Sequence, residues 1–326
     1  MKFIVRLFLF TATAACTLVL AVQGFGQRFP VKPLRVVVPF SAGGITDIRA
    51  RQYAQRMSEA LGQAVIVENK PGASGAIAAE YVAKSPADGY TLLFGTLNEL
   101  ALVPATGGQL GYNAETDFAA ISIAAAGYPT LLAAPGLGVN SVAELITRVK
   151  SKPGQFNFAS GGSATHGHFM AAYFSKQMGL DVSLVPYKGS APAYPDLLSG
   201  QVHMLIGYTL EFVQYAKAGR VKPLAVLGPR RIPLLGDVQT IAEAGYPGFE
   251  LLGWQGFFAP AATPPHILER LNAEIVKVGT GPDMQKILTE GGGEFIVMTP
   301  AEFGQFQRGE IAKWAKIIKE SGVKIE

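Results

Sequence analysis

Short apolar runs alternate with longer amphipathic segments along most of this chain. Residues 34–39, LRVVVP, are short and β-branched, which predicts a buried strand. Gly43 and Gly44 break that run. From 47 to 61, Ile48, Tyr53, Met57 and Leu61 recur at helical spacing with arginines on other faces. Thr46 or Asp47 can cap this helix. Residues 64–68 predict a second strand, 75–84 a second helix and 90–94 a third strand. Strand, helix, strand, helix with short links predicts a parallel sheet covered on both faces. The pattern returns further on, with strands at 155–159, 182–185 and 202–206 and helices at 166–178 and 192–198. Two more helices follow, at 265–278 and 301–321. Two similar units predict an α/β protein of two lobes with a cleft between them. No repeat of the period of a solenoid is present.

The first residues break this pattern. Lys2 and Arg6 give a basic start, and no charge follows until Arg28. Residues 7–22 form one apolar run, followed by Gly24, Phe25 and Gly26. This is the order of a secretory signal, with cleavage expected near Gly26. An uncleaved anchor and a lipoprotein attached through Cys16 are the alternatives. Against the second, Thr13 stands where a lipobox usually has Leu. Cleavage removes Lys2, Arg6 and Cys16, so the net charge falls from +4 to +2 and the single cysteine is lost. A cysteine-free secreted chain suits an oxidising compartment, and the expected one is the periplasm.

Composition then narrows the chemistry. At 326 residues the chain has room for two domains. Its 49% hydrophobic content excludes intrinsic disorder. One cysteine excludes a disulfide scaffold and a cysteine-rich zinc site. G-x-S-x-G, H-E-x-x-H, the P-loop and G-x-G-x-x-G are absent. His166 and His168 stand two apart, which splays them on a helix, so no metal and no cofactor are expected. The basic residues are scattered, so nucleic acid is not an expected partner.

What remains are three Gly- and Ser-rich junctions between strands and helices. They read VPFSAGGITD (38–47), ASGGSATHGH (159–168) and YKGSAP (187–192). In an open α/β sheet, ligands sit beyond the carboxyl ends of the strands, where such loops enter helices. Free amides at a helix start favour an anion. The hydroxyls of Ser41, Ser160, Ser163, Thr165 and Ser190 add donors. Such a cleft can bind a carboxylate without an arginine. The alternative for each loop is an ordinary tight turn.

These segments, with VENKPGASG (67–75), SPADGYTLLFG (85–95), VPYKGSAPAYPDLLSGQV (185–202), VQTIAEAGYPGFE (238–250) and APAATPPHILERLN (259–272), stand in order along nearly all the mature chain. Together they resemble the receptors of tripartite tricarboxylate transporters, the Bordetella uptake gene family. The resemblance implies a type II periplasmic-binding-protein fold. Lobe 1 would be residues 27–125 plus 255–326, and lobe 2 residues 126–254, with hinges at Tyr128-Pro129 and Gly253-Trp254. It implies a monomeric, non-enzymatic receptor that closes on a small organic carboxylate and delivers it to a two-subunit membrane permease. A sensor for a membrane signalling partner and a hydrolase on the same scaffold remain as alternatives.

By position, the resemblance assigns ligand contacts to Phe40, Ser41, Ala42, Gly43, Gly44 and Asp47, and to Thr96, Leu97 and Asn98 after the third strand. In the second lobe it assigns Ser160, Gly161, Ser163, Thr165 and His168, with Lys188, Gly189, Ser190 and Ala191. Two departures stand out besides Ala42, which replaces a common proline. His203 takes the place of a usual aspartate near the cleft, and it can gain a proton near neutral pH. Tyr208 takes the place of small polar residues. Both are expected at the ligand, favouring a more anionic or aromatic one than an amino acid. The alternative is that position 203 lies outside ligand contact.

Overall fold

The structure is a computed structural model that describes residues 29–162, 165–187, 190, 192–249 and 251–321. The expected signal segment lies outside the described residues.

The chain opens with β1 (Leu34–Val38), α1 (Ile45–Leu61), β2 (Val65–Asn69), α2 (Ala76–Ala83) and β3 (Thr91–Thr96). β1 lies between β2 and β3 and runs parallel to both, as the alternation predicts. The sheet is then completed antiparallel. A late strand, β10 (Gly253–Pro260), runs against β3; β4 (Phe118–Gly127) runs against β10 and so along the core direction; the short β11 (Gly293–Glu294) runs against β4, and the full order is β11-β4-β10-β3-β1-β2. The expectation of an all-parallel sheet is therefore corrected.

Two residues after β4 the chain enters a second sheet with β5 (Thr130–Ala133). There follow α3 (Val142–Lys150), β6 (Phe156–Ser160), α4 (His166–Gln177), β7 (Val182–Pro186), α5 (Ala193–Ser199), β8 (Met204–Gly207), α6 (Thr209–Lys217) and β9 (Lys222–Val226). β6, β7 and β8 are parallel, and β5 lies antiparallel between β8 and β9. The chain returns to the first sheet with β10 (Gly253–Pro260). It ends with α7 (Pro265–Thr280), α8 (Pro282–Glu290), the short β11 (Gly293–Glu294) and α9 (Pro300–Ser321). Two α/β sheets, joined where the chain crosses twice, agree with the two-lobed fold that the resemblance implies.

One core cluster lies on the first sheet, one on the second, and the third runs continuously across both. One face of the first sheet buries Tyr53 and Met57 of α1 against Phe94 and Phe257, with Leu271 and Ile275 of α7 completing the layer. Phe94 and Phe257 meet edge to face at 4.9 Å, a favourable aromatic geometry. The other face carries Trp254, Phe258 and Phe303. α9 then ties the lobes together. It packs on β4 of the first sheet and on α4 of the second. Its Trp314 is fully buried, with its ring 4.8 Å from that of His166. Among the described residues no helix is long and apolar enough to cross a membrane.

Candidate ligand-binding cleft

A cavity of about 550 Å³ lies between the sheets, at the carboxyl ends of β1, β3, β6 and β8. That is a small-molecule volume. Where the chain crosses between lobes, Gly127 and Gly253 form its floor. Gly253 has no room for a side chain, because a Cβ there would collide with the Tyr208 hydroxyl.

The first lobe offers two kinds of donor. Gly44 caps α1 without a side-chain hydrogen bond, so the amides of its first turn are left open to the cavity edge. One turn on, Arg49 lines the cavity, and its Nη1 donates to Gln255 Oε1 at 3.1 Å. Gln255 in turn donates to Thr46 Oγ1 at 3.0 Å. Arg49 forms no ion pair among the described residues. Burial lowers its pKa, but a guanidinium stays charged in a protein. Behind Thr96, the buried Glu99 accepts from the Thr96 amide and, at 2.7 Å, from its hydroxyl. Burial pushes the Glu99 carboxyl up to about 7 despite these bonds.

The second lobe uses most of its polar groups on itself, while the buried His166 Nε2 and Thr209 Oγ1 have no hydrogen-bond partner. Thr165 caps α4 by accepting from the His168 amide. His166 Nδ1 lies 2.8 Å from Tyr208 Oη. Burial, with a lesser contribution from the Lys313 charge, pushes the His166 imidazole down to about 3, so it is neutral at physiological pH. Glu211 accepts from Ser190 Oγ at 2.6 Å, Tyr208 N at 3.1 Å and Tyr194 Oη at 3.2 Å. Apolar side chains of Leu97, Met170 and Ile206 fill the wall between these polar groups.

The family model described as "Tripartite tricarboxylate transporter family receptor" matches residues 49–323. The chain belongs to this family. Three solved structures are similar along nearly their whole length. R. palustris Rpa4515 with adipate is 37% identical, with a TM-score of 0.82, covering 90% of this chain and 99% of that one. The periplasmic binding protein BugD is 32% identical, with a TM-score of 0.79, covering 91% and 99%. MatC from Rhodopseudomonas palustris with bound malate is 31% identical, with a TM-score of 0.78, covering 89% and 100%.

In this receptor the cavity gathers nine of the residues expected at the ligand: Phe40, Gly44, Thr96, Leu97, Asn98, Gly161, Thr165, Ser190 and Tyr208. Ser163, Lys188, Gly189 and Ala191 lie outside the described residues. Seven others do not line the cavity. Ser41, Ala42 and Gly43 face solvent on the rim. Asp47 is buried beneath them, where its carboxylate accepts from Gly43 N and Asn69 Nδ2, both at 2.9 Å, and pairs with Arg51. It shapes the loop. Ser160 and His168 sit behind the wall and bond to each other at 3.1 Å.

His203 is the larger correction. It precedes β8, whereas the cavity lies beyond that strand's carboxyl end. Five residues of extended chain separate it from Tyr208 by about 16 Å. Its Nδ1 is 3.0 Å from Asn157 Oδ1 and its ring packs edge-on against Phe156. Burial lowers its pKa, and its place at the opposite end of β8 keeps it away from the cavity. The cavity is also lined by an arginine, Arg49, which was not among the residues expected there. Gln255, His166, Glu211 and Trp254 are further lining residues that the motifs did not reveal. The signal for Arg49 was its place four residues after Ile45, on the helix face that meets the loop.

Proposed function

We propose that this receptor captures a small organic carboxylate in the periplasm by closing its lobes and passes it to a two-subunit membrane permease. The observation that carries the reading is a cavity with uncapped α1 amides and an unpaired guanidinium on one wall, in a family that includes adipate- and malate-bound structures. Both features favour an anion. The ligand contacts are the nine expected residues that line the cavity, together with Arg49. Lobe 1 comprises residues 27–125 plus 255–326 and lobe 2 residues 126–254, and the protein acts as a monomer after cleavage near Gly26. Closure is a hinge motion about Tyr128-Pro129 and Gly253-Trp254. The hydrolase alternative has less support, because His168 is engaged with Ser160, which is 1% exposed.

A thermal-shift panel of mono-, di- and tricarboxylates and aromatic acids tests this. A true ligand at a thousand times its Kd stabilises by roughly 4 kcal/mol, and it is recovered unchanged. A panel in which no organic acid raises the Tm overturns the reading, and so does chemical turnover of the bound acid.

A further inference from the structure

The cleft presents positive character at two separate places. The first is the uncapped start of α1 at Ile45 and Thr46. The second is Arg49, about 6 Å further along the same helix axis, at one residue per 1.5 Å. Its guanidinium turns toward the floor. It reaches Gln255 of β10, and its Nη2 lies 3.5 Å from where a Cβ on Gly293 would stand. The same cavity is lined with apolar surface by Leu97, Met170 and Ile206.

The guanidinium has donors to spare. It carries five N–H groups, of which the structure uses one, on a neutral amide oxygen. Withdrawing a cation from water on these terms is costly unless an anion shares the site. Glu211 is the one carboxylate lining the cavity among the described residues, and it already accepts from Ser190, Tyr194 and the Tyr208 amide. The protein therefore leaves the guanidinium to the ligand. An acid group resting on the α1 amides does not also need Arg49, so the two places can be filled together by one molecule.

We propose that Arg49 is the specificity-determining residue of the cleft: it receives a second acidic group of the ligand while the first rests on the α1 amides. The receptor then selects diacids with a hydrocarbon spacer over the matching monoacids. This rests on reading the cleft as an organic-acid site.

Matched pairs test it by titration calorimetry: succinate with butyrate, adipate with hexanoate, and phthalate with benzoate. At least one diacid is expected to bind the wild type more tightly than its monoacid partner. R49M should weaken that diacid about ten- to a hundredfold, the worth of a hydrogen bond to a charged group, and leave the monoacid within about threefold. R49K, which keeps the charge and loses the fork, should fall between. The unliganded Tm of R49M should stay close to that of the wild type, because relief of a buried guanidinium without an ion pair offsets the hydrogen bond lost by Gln255 Oε1. Equal weakening of both members of a pair, or none, overturns the proposal, as does a wild type that prefers the monoacids. If no acid of any class binds the wild type, the organic-acid reading itself fails and this proposal with it.

Discussion

The two walls of the cleft are built from the same kind of unit and treat their polar groups in opposite ways. In the first lobe α1 begins without a side-chain cap, and Arg49 keeps most of its donors free. In the second lobe Thr165 caps α4, Tyr208 engages His166, and three donors occupy Glu211. A wall with open donors attracts an anion from solution. A wall whose groups are mostly engaged with one another, His166 Nε2 excepted, offers shape and excludes water, which strengthens the bonds made on the other side. The first lobe thus supplies charge and the second supplies enclosure.

The largest expected effect falls on what holds the walls together. Trp314→Ala leaves a hole between α9 and His166, and should cost about 3–5 kcal/mol in a urea unfolding experiment. A cost below about 1 kcal/mol would show that α9 does not tie the lobes.

Next comes Glu211. Glu211→Ala strands the Ser190 and Tyr194 hydroxyls and the Tyr208 amide, and should destabilise the protein by roughly 1–3 kcal/mol. Its effect on diacid affinity should be smaller than that of R49M. The reverse order would reassign the charge-selective wall to the second lobe.

The buried titratable groups give opposite pH slopes. His166 has a folded pKa of about 3 against an ordinary 6.5, so unfolding gains a proton and stability falls as pH drops from 6.5 toward 3. Glu99 has a folded pKa of about 7 against 4.5, so stability falls as pH rises from 4.5 toward 7. The two partly cancel in the wild type between 4.5 and 6.5. His166→Asn should therefore flatten the acid-side loss, and Glu99→Gln should remove the loss on the neutral side. Unfolding free energies at a series of pH values separate them, and unchanged slopes in both variants would refute the assignments.

The smallest effect belongs to the crossing between the two sheets. Glu294 of β11 meets Arg230, which follows β9, and Tyr128, which joins β4 to β5. Arg230 is 60% exposed, so Arg230→Ala should change stability by about 0–1 kcal/mol. Any change in ligand affinity should vanish at high salt.

The parallel strands and their helices were legible because each apolar run is local. The helix expected over 47–61 is Ile45–Leu61, and the strand expected over 155–159 is Phe156–Ser160. β4 and β10 were not, since FAAISIAAAG and GWQGFFAP are covered on both faces and show no alternation. The site divides in the same way. Loop residues such as Gly44, Thr96 and Gly161 announce themselves by composition. Arg49 does not, because Gln255, which positions it, is 206 residues away. His203 misled because a position within a motif does not say which end of a strand faces the cleft.

The chain has two tryptophans, and both belong to this region. Trp254 borders the cavity directly. Trp314 stands one imidazole behind it, against His166. Filling the cavity changes the surroundings of the first indole at once and reaches the second through a single ring. The receptor therefore carries its own optical reporter, and its native fluorescence can follow ligand capture without a label.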